Sequence, residues 1–225
     1  MAELAFLFDV DNTLVDNDRV KEDLGAQIEQ LVGADYAMRF WAIYEAVRRA
    51  SDYVDLPCTL ARFRTAWPEA PHFPGLAALV LCFPFERYVF PGVLDTIAYL
   101  ATLGSVAILS DGDPVYQPAK IARAGLADAV DDHVLIYAHK ELHLDEVTQR
   151  YPAERYVLVD DKADILAAAK ARLGDRLLTV HVLQGKYARR ELPPSQRPPD
   201  RALASVAELR SFSPADFRAA ELPTH

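Results

Sequence analysis

The chain is 225 residues long, 51% hydrophobic and 25% charged, which suits one α/β domain with a smaller subdomain and excludes wholesale disorder. Its formal net charge of −9 argues against a nucleic-acid partner and leaves an anionic substrate in need of local neutralisation by a metal or a lysine. Only Cys58 and Cys82 are present, with no CxxC or Cys/His cluster, which gives the expectation of free thiols in a reducing cytoplasm.

An apolar run over residues 5–10 predicts the first strand, buried on both faces as in a parallel sheet. Glu3 precedes it directly, so no leader peptide is expected. Asp9 and Asp11 stand where the apolar run stops, within Asp9-Val10-Asp11-Asn12-Thr13-Leu14. A lone carboxylate is costly to bury, so the end of a buried strand is the first place it is stable. Ligands of open α/β sheets bind outside those same carboxyl ends. The two acids are placed for chemistry, or else are solvated aspartates of a turn.

Residues 14–90 read as helices over 20–31, 34–50, 59–66 and 76–82, with no strand. A helical insertion there sits over the carboxyl ends of the sheet, because Asp11 and Pro91 leave and re-enter at that edge. The expected division is a catalytic core of residues 1–13 and 91–225 and a helical cap of 14–90. Residues 75–83 are strongly apolar but too short to span a bilayer, and Pro84 follows, so no membrane partner is expected. They read as cap interior, with a dimer face as the other reading; oligomeric state is left open. Arg39, Trp41, Tyr44, Arg48, Arg49, Tyr53, Arg62, Arg64 and Trp67 are the cap's aromatic and cationic stock, of which one or two are expected to reach a substrate.

From residue 91 the rhythm is helix, strand, helix, strand. Strands are predicted over 105–110, 133–138, 156–160 and 177–183, and helices over 93–103, 115–124, 141–151 and 162–173. Gly104, Gly125 and Gly174 follow three of these helices, where a left-handed C-cap is expected. Five strands alternating with helices imply a three-layer, Rossmann-like parallel sheet. The run Pro193-Pro194-Ser195-Gln196-Arg197-Pro198-Pro199 reads as a surface linker, and Ser213-Pro214-Ala215-Asp216 as a helix start.

Each later strand delivers polar groups to the same edge. The second ends in Ser110-Asp111-Gly112, offering a hydroxyl and turn amides to an anion. Lys140 follows the third and would neutralise a phosphoryl oxygen. The fourth ends in Asp160-Asp161-Lys162-Ala163-Asp164. Three more carboxylates at a strand end call for a cation, and hard oxygen ligands favour Mg²⁺; either Asp161 or Asp164 alone would serve as a helix cap.

These residues together resemble the haloacid dehalogenase superfamily, in its phosphatase branch with a helical cap after the first motif. The resemblance rests on Asp9-Val10-Asp11-Asn12-Thr13, Ser110, Lys140, and Asp160-Asp161 with Asp164, each at a strand end and in the family's order. Phe90-Pro91-Gly92, and Gln117 with Lys120 leading to Gly125-Leu126, are similar flanks. The resemblance implies a Mg²⁺-dependent phosphatase acting on a small phosphorylated metabolite. Asp9 would be the nucleophile, forming an aspartyl-phosphate. Asp11 would be the general acid and base. Ser110 and Lys140 would stabilise the transferring phosphoryl group.

The metal would be held by Asp9, the Asp11 backbone carbonyl and the fourth motif. Asp160 is expected as the ligand, with Asp161 as the alternate, and Thr13 and Asp164 as supporting residues. Asp111 stands where the family usually has Asn or Thr, which puts another acid near the phosphate. A 2-haloacid dehalogenase is the first rival, disfavoured because that branch lacks the second acid, here Asp11. A phosphomutase needs the same residues and differs in the cap. A non-catalytic phosphate-binding protein is the third reading.

Overall fold

The computed structural model describes residues 2–190 and 192–218. Six parallel strands form one sheet: β1 Ala2–Phe8, β2 Ser105–Asp111, β3 Val134–Tyr137, β4 Ala153–Asp160, β5 Leu177–Val182 and β6 Arg201–Leu203, in the order β3-β2-β1-β4-β5-β6. β1 lies at the centre, with Phe8 beside Ile108 of β2 and Val159 of β4. The strand order reverses between β1 and β4, which puts a crevice at the carboxyl end of β1.

Period-two alternation gives the sheet two buried faces. Leu4, Phe6, Phe8, Val106, Ile108, Val157 and Val159 meet one helical layer. That layer comprises α5 Val93–Ala101, α6 Tyr116–Arg123, α7 Leu126–Ala129 and, near the C-terminus, α10 Pro214–Arg218, whose Phe217 packs edge-on to Phe6 at 5.0 Å. Ala5, Leu7, Leu109, Tyr156 and Leu158 meet the other layer, α8 Leu144–Arg150 and α9 Ala163–Leu173. This is the three-layer Rossmann-like fold.

Between β1 and β2 the chain builds α1 Asn17–Val32, α2 Ala34–Ser51, α3 Leu56–Ala66 and α4 Phe73–Leu81, which pack on one another. Asp16 caps α1 by accepting from the Arg19 amide, and Asp55 caps α3 by accepting from Cys58. Leu76, Val80 and Phe83 of the apolar run are buried. Among the described residues no helix is long and apolar enough to cross a membrane.

Several boundaries differ from the expectation. β1 ends at Phe8 rather than at residue 10, so Asp9 and Asp11 lie on the loop beyond it. β6 follows the Pro-rich linker and has three residues, too few for any periodicity to announce it. The helix expected over 141–151 is a 3-10 turn, Lys140–Leu142, followed by α8. Gly125 and Gly174 have the left-handed φ expected, 72° and 58°. Gly104 does not; it is needed for space, since a Cβ there would lie 2.3 Å from the Leu4 carbonyl oxygen on β1.

Candidate active site

The loop after β1 is a tight turn. The Asp9 amide continues the ladder by donating to Val159 at 3.0 Å, and the Val10 carbonyl accepts from the amides of Leu14 and Val15, both at 2.9 Å. Asn12 takes a left-handed φ of 63°, which its short polar side chain tolerates. Gly185, beyond β5, lies so close that a Cβ would come within 2.4 Å of the Asn12 side chain. The loops after β1 and β5 are thereby locked together.

At this edge Asp9, Lys140, Asp160 and Asp161 are all buried. The Lys140 Nζ lies 2.5 Å from Asp9 Oδ1 and 2.6 Å from Asp160 Oδ2. Its backbone amide donates to Asp111 Oδ1 at 2.8 Å, which fixes the start of the 3-10 turn that carries it. Burial alone would depress this ammonium, but Asp160 and Asp9 outweigh it and hold Lys140 well above the usual lysine range. Asp160 Oδ1 accepts from the Lys162 amide at 2.8 Å. His181 of β5 donates from Nε2 to the Asp161 carbonyl at 3.0 Å and so orients that residue.

One lysine does not satisfy three carboxylates. Asp9 Oδ2 and both carboxylate oxygens of Asp161 are buried without a hydrogen-bond partner among the described residues. Burial, and then the neighbouring Asp9 and Asp160 charges, push Asp161 up to about 9; burial also raises Asp9. Oxygens of Asp9, Asp160 and Asp161 lie within 4.8 Å of one another. Asp161, with two unengaged oxygens, is as available to a cation as Asp160, whose oxygens face Lys140 and the Lys162 amide.

Asp11 points to the other side of the loop. Its Oδ1 is ion-paired with the Nζ of Lys120 on α6, which also donates to Asn17 Oδ1 at 2.8 Å. Burial works to raise the Asp11 carboxyl, but the Lys120 ammonium prevails and holds it below the usual range. Ser110 Oγ is buried and accepts from Gln117 Nε2 at 3.0 Å. Gln117 and Lys120 are one turn apart on α6, so one helix face fixes both Ser110 and Asp11.

The structure thus brings together Asp9, Asp11, Ser110, Asp111, Lys140, Asp160 and Asp161. Thr13 is buried under the loop, its hydroxyl without a partner among the described residues. Asp164 is not brought in: it is exposed on the first turn of α9, where its Oδ1 accepts from the Ile165 amide at 3.1 Å. Three residues beyond Asp161, the helix has turned that side chain away from the cluster.

A cavity of about 320 Å³ opens above these groups. Asp11, Asp111 and Lys162 line its floor; α1 and α2 contribute Lys21, Trp41, Tyr44 and Arg48; the segment after β5 adds Tyr187 and Arg190. Lys21, Lys162, Tyr187 and Arg190 were not singled out by the sequence. The signal for the last two was the rule applied to the other strands, that each strand end delivers groups to the same edge.

Comparisons with known proteins agree with this geometry. Residues 4–180 match the family model of haloacid dehalogenase-like hydrolases. A structure described as that of a haloacid dehalogenase-like hydrolase from Burkholderia xenovorans LB400 is 43% identical, covers 94% of this chain and 97% of its own, and superposes with a TM-score of 0.86. An L-2-haloacid dehalogenase from Xanthobacter autotrophicus with covalently bound chloropropionic acid is 19% identical, with coverage of 94% and 98% and a TM-score of 0.60. The HAD-hydrolase YfnB from Bacillus subtilis, bound to magnesium, is 16% identical with the same coverage and TM-score; these last two share the fold. None of the curated proteins matches the chain significantly. Over most of its length, and with an acid-rich edge at the centre of its sheet, the chain belongs to the haloacid dehalogenase-like hydrolases.

Proposed function

We propose that this hydrolase is a Mg²⁺-dependent phosphatase that transfers the phosphoryl group of a small phosphorylated metabolite to Asp9 and then to water. The observation that carries this reading is the buried cluster of Asp9, Asp160 and Asp161 around one lysine, with Asp11 two residues beyond the nucleophile. The unengaged oxygens of Asp9 and Asp161 are hard donors of the kind Mg²⁺ takes, so the residues fit the ion. Asp9, Asp160 or Asp161, and the Asp11 backbone carbonyl would hold it. When bound, the ion cancels the repulsion between an anionic nucleophile and an anionic phosphate.

In the first half-reaction an Asp9 oxygen forms a bond to phosphorus as the bond to the leaving oxygen breaks, and the departing alcohol takes a proton from Asp11. In the second, water attacks the aspartyl-phosphate and gives a proton to Asp11, releasing inorganic phosphate. Lys140, against Asp9, and Ser110, buried at the end of β2, would stabilise charge on the transferring oxygens. The Lys120 contact keeps Asp11 ionised, the form the second half needs. Substrate therefore has to weaken that contact before Asp11 serves as an acid. Residues 14–90 would be the cap over a core of 1–13 and 91–225, and free Cys58 and Cys82 suit a cytoplasmic setting.

Asp11 and the carboxylate cluster separate this reading from hydrolysis of a 2-haloacid, which needs neither a protonated leaving oxygen nor a cation. The experiment is p-nitrophenyl phosphate hydrolysis with Mg²⁺ and with chelator, beside chloride release from 2-chloropropionate. Metal-dependent phosphate release without chloride release is expected. Chloride release with no phosphatase activity would sink the proposal.

A further inference from the structure

Beyond the reacting phosphate, the cavity carries positive charge that the chemistry does not use. Lys120 is engaged by Asp11, but Lys21, Lys162 and Arg190 line the same cavity without an ion pair among the described residues. Arg48 has only an exposed contact, 3.5 Å from Glu45, which water screens. In a chain of net charge −9 this is a local reversal of sign in the cavity beside the carboxylate cluster.

The aromatic walls explain how these cations are held. Lys21 Nζ lies 5.8 Å from the centre of the Tyr44 ring. The Tyr187 ring carries Lys162 Nζ at 5.8 Å and the Arg190 guanidinium at 4.4 Å. Ring faces attract cations in this range, so the rings locate charges that would otherwise swing freely. Trp41 meets Tyr44 edge-on at 5.2 Å, so this wall is occupied by its own packing rather than left open for a stacking base. The Tyr44 hydroxyl is buried at the cavity without a partner among the described residues. It is a donor waiting for an acceptor.

Resting on the phosphatase reading above, we propose that the substrate is a phosphomonoester whose leaving group carries a second anionic group, bound by Lys21, Arg190 and the Tyr44 hydroxyl where they line the cavity. A carboxylate and a second phosphate share this chemistry. The cavity of about 320 Å³ is at the small end for organic ligands, which suits a short-chain or single-ring leaving group.

The test compares matched substrates on the whole protein with Mg²⁺: glycerol 3-phosphate against 3-phosphoglycerate for a carboxylate, glucose 6-phosphate against glucose 1,6-bisphosphate for a phosphate, and ribose 5-phosphate against a nucleoside 5′-monophosphate for a base. The expected result is a kcat/KM at least about tenfold higher for the anionic member of the first or second pair, which also says which anion is read. Lys21→Gln and Arg190→Gln should each bring that ratio down several-fold, chiefly through KM; loss of fold would lower both members alike. Turnover with ratios near one in the first two pairs, or a preference only in the third, overturns the inference and leaves the phosphatase standing. Failure to hydrolyse any of these esters or p-nitrophenyl phosphate overturns both.

Discussion

Among the described residues three buried lysines pair with aspartate, Lys120, Lys140 and Lys170, and the sites of the last two are opposites. Lys170 of α9 donates to Asp200 Oδ2 at 2.7 Å, and the same carboxylate oxygen accepts from the amide and hydroxyl of Thr179 on β5, both at 2.9 Å. Burial works to raise Asp200, but these bonds hold it below the usual range. This cluster ties the chain leading into β6 to the sheet, and its one carboxylate is fully engaged, with Arg197 adding an exposed contact at 3.5 Å. At Lys140 the charges do not match: the ammonium meets Asp9 and Asp160, one Asp9 oxygen and both oxygens of neighbouring Asp161 have no partner among the described residues, and Asp9 and Asp161 are raised rather than lowered. A satisfied buried pair fastens a structure, whereas an unsatisfied one stores a demand that a ligand meets.

The sharpest way to break this contrast is at Asp9, the proposed nucleophile. Asp9→Asn should cut turnover by roughly 10³-fold or more while leaving the melting temperature unchanged or higher, because it relieves crowding among three buried carboxylates, leaves Asp160 to pair with Lys140 and removes almost no volume. Substantial residual turnover in steady-state assays would mean that Asp9 does not form the covalent intermediate. Asp11→Asn should be as severe for an alkyl phosphate and much milder for p-nitrophenyl phosphate, whose leaving group needs little protonation. Equal losses on both substrates would assign Asp11 a purely structural part.

Lys170→Met tests the other side. It leaves buried Asp200 with only the longer Arg197 contact as a cationic partner, so urea unfolding should show a loss of about 3 kcal/mol with kcat nearly unaltered. A drop in kcat at full stability would mean the two clusters communicate. The smallest effect is on pH. Asp161, raised to about 9 in the folded chain against the ordinary carboxyl value when unfolded, binds its proton more tightly in the folded state. Metal-free stability should therefore fall as pH rises from the ordinary carboxyl range towards 9, and Mg²⁺ should raise the melting temperature more at pH 8.5 than at pH 6. A Mg²⁺ shift independent of pH in calorimetry would remove Asp161 from the cation site.

The sheet and the acid edge were legible because burial on both faces leaves an unmistakable run such as Phe6-Leu7-Phe8, and because charge in such a strand is tolerated only at its end. That reasoning reached Asp9, Ser110, Lys140 and Asp160 through local context alone. It named Asp164 as a supporting residue, but on the first turn of α9 that side chain is exposed and accepts from the Ile165 amide, a direction set by the helix rather than by the strand end. It did not pair Lys120 with Asp11, 109 positions away, or bring Arg190 to the mouth of the cavity. Those contacts are set by how α6 and the segment after β5 cross the sheet edge, which no periodicity encodes.

The central position of β1 has a consequence for motion. Its amides and carbonyls are bonded to β2 on one side and β4 on the other, so they cannot exchange with solvent unless the whole sheet comes apart. Asp9 is thus anchored to the slowest-exchanging part of the molecule, whereas Tyr44 and Lys21 ride on helices whose amides face solvent along one side. Deuterium uptake should separate them widely, with the Asp9 carboxylate held in a nearly fixed frame while the cavity wall of Tyr44 and Lys21 breathes on a much shorter timescale.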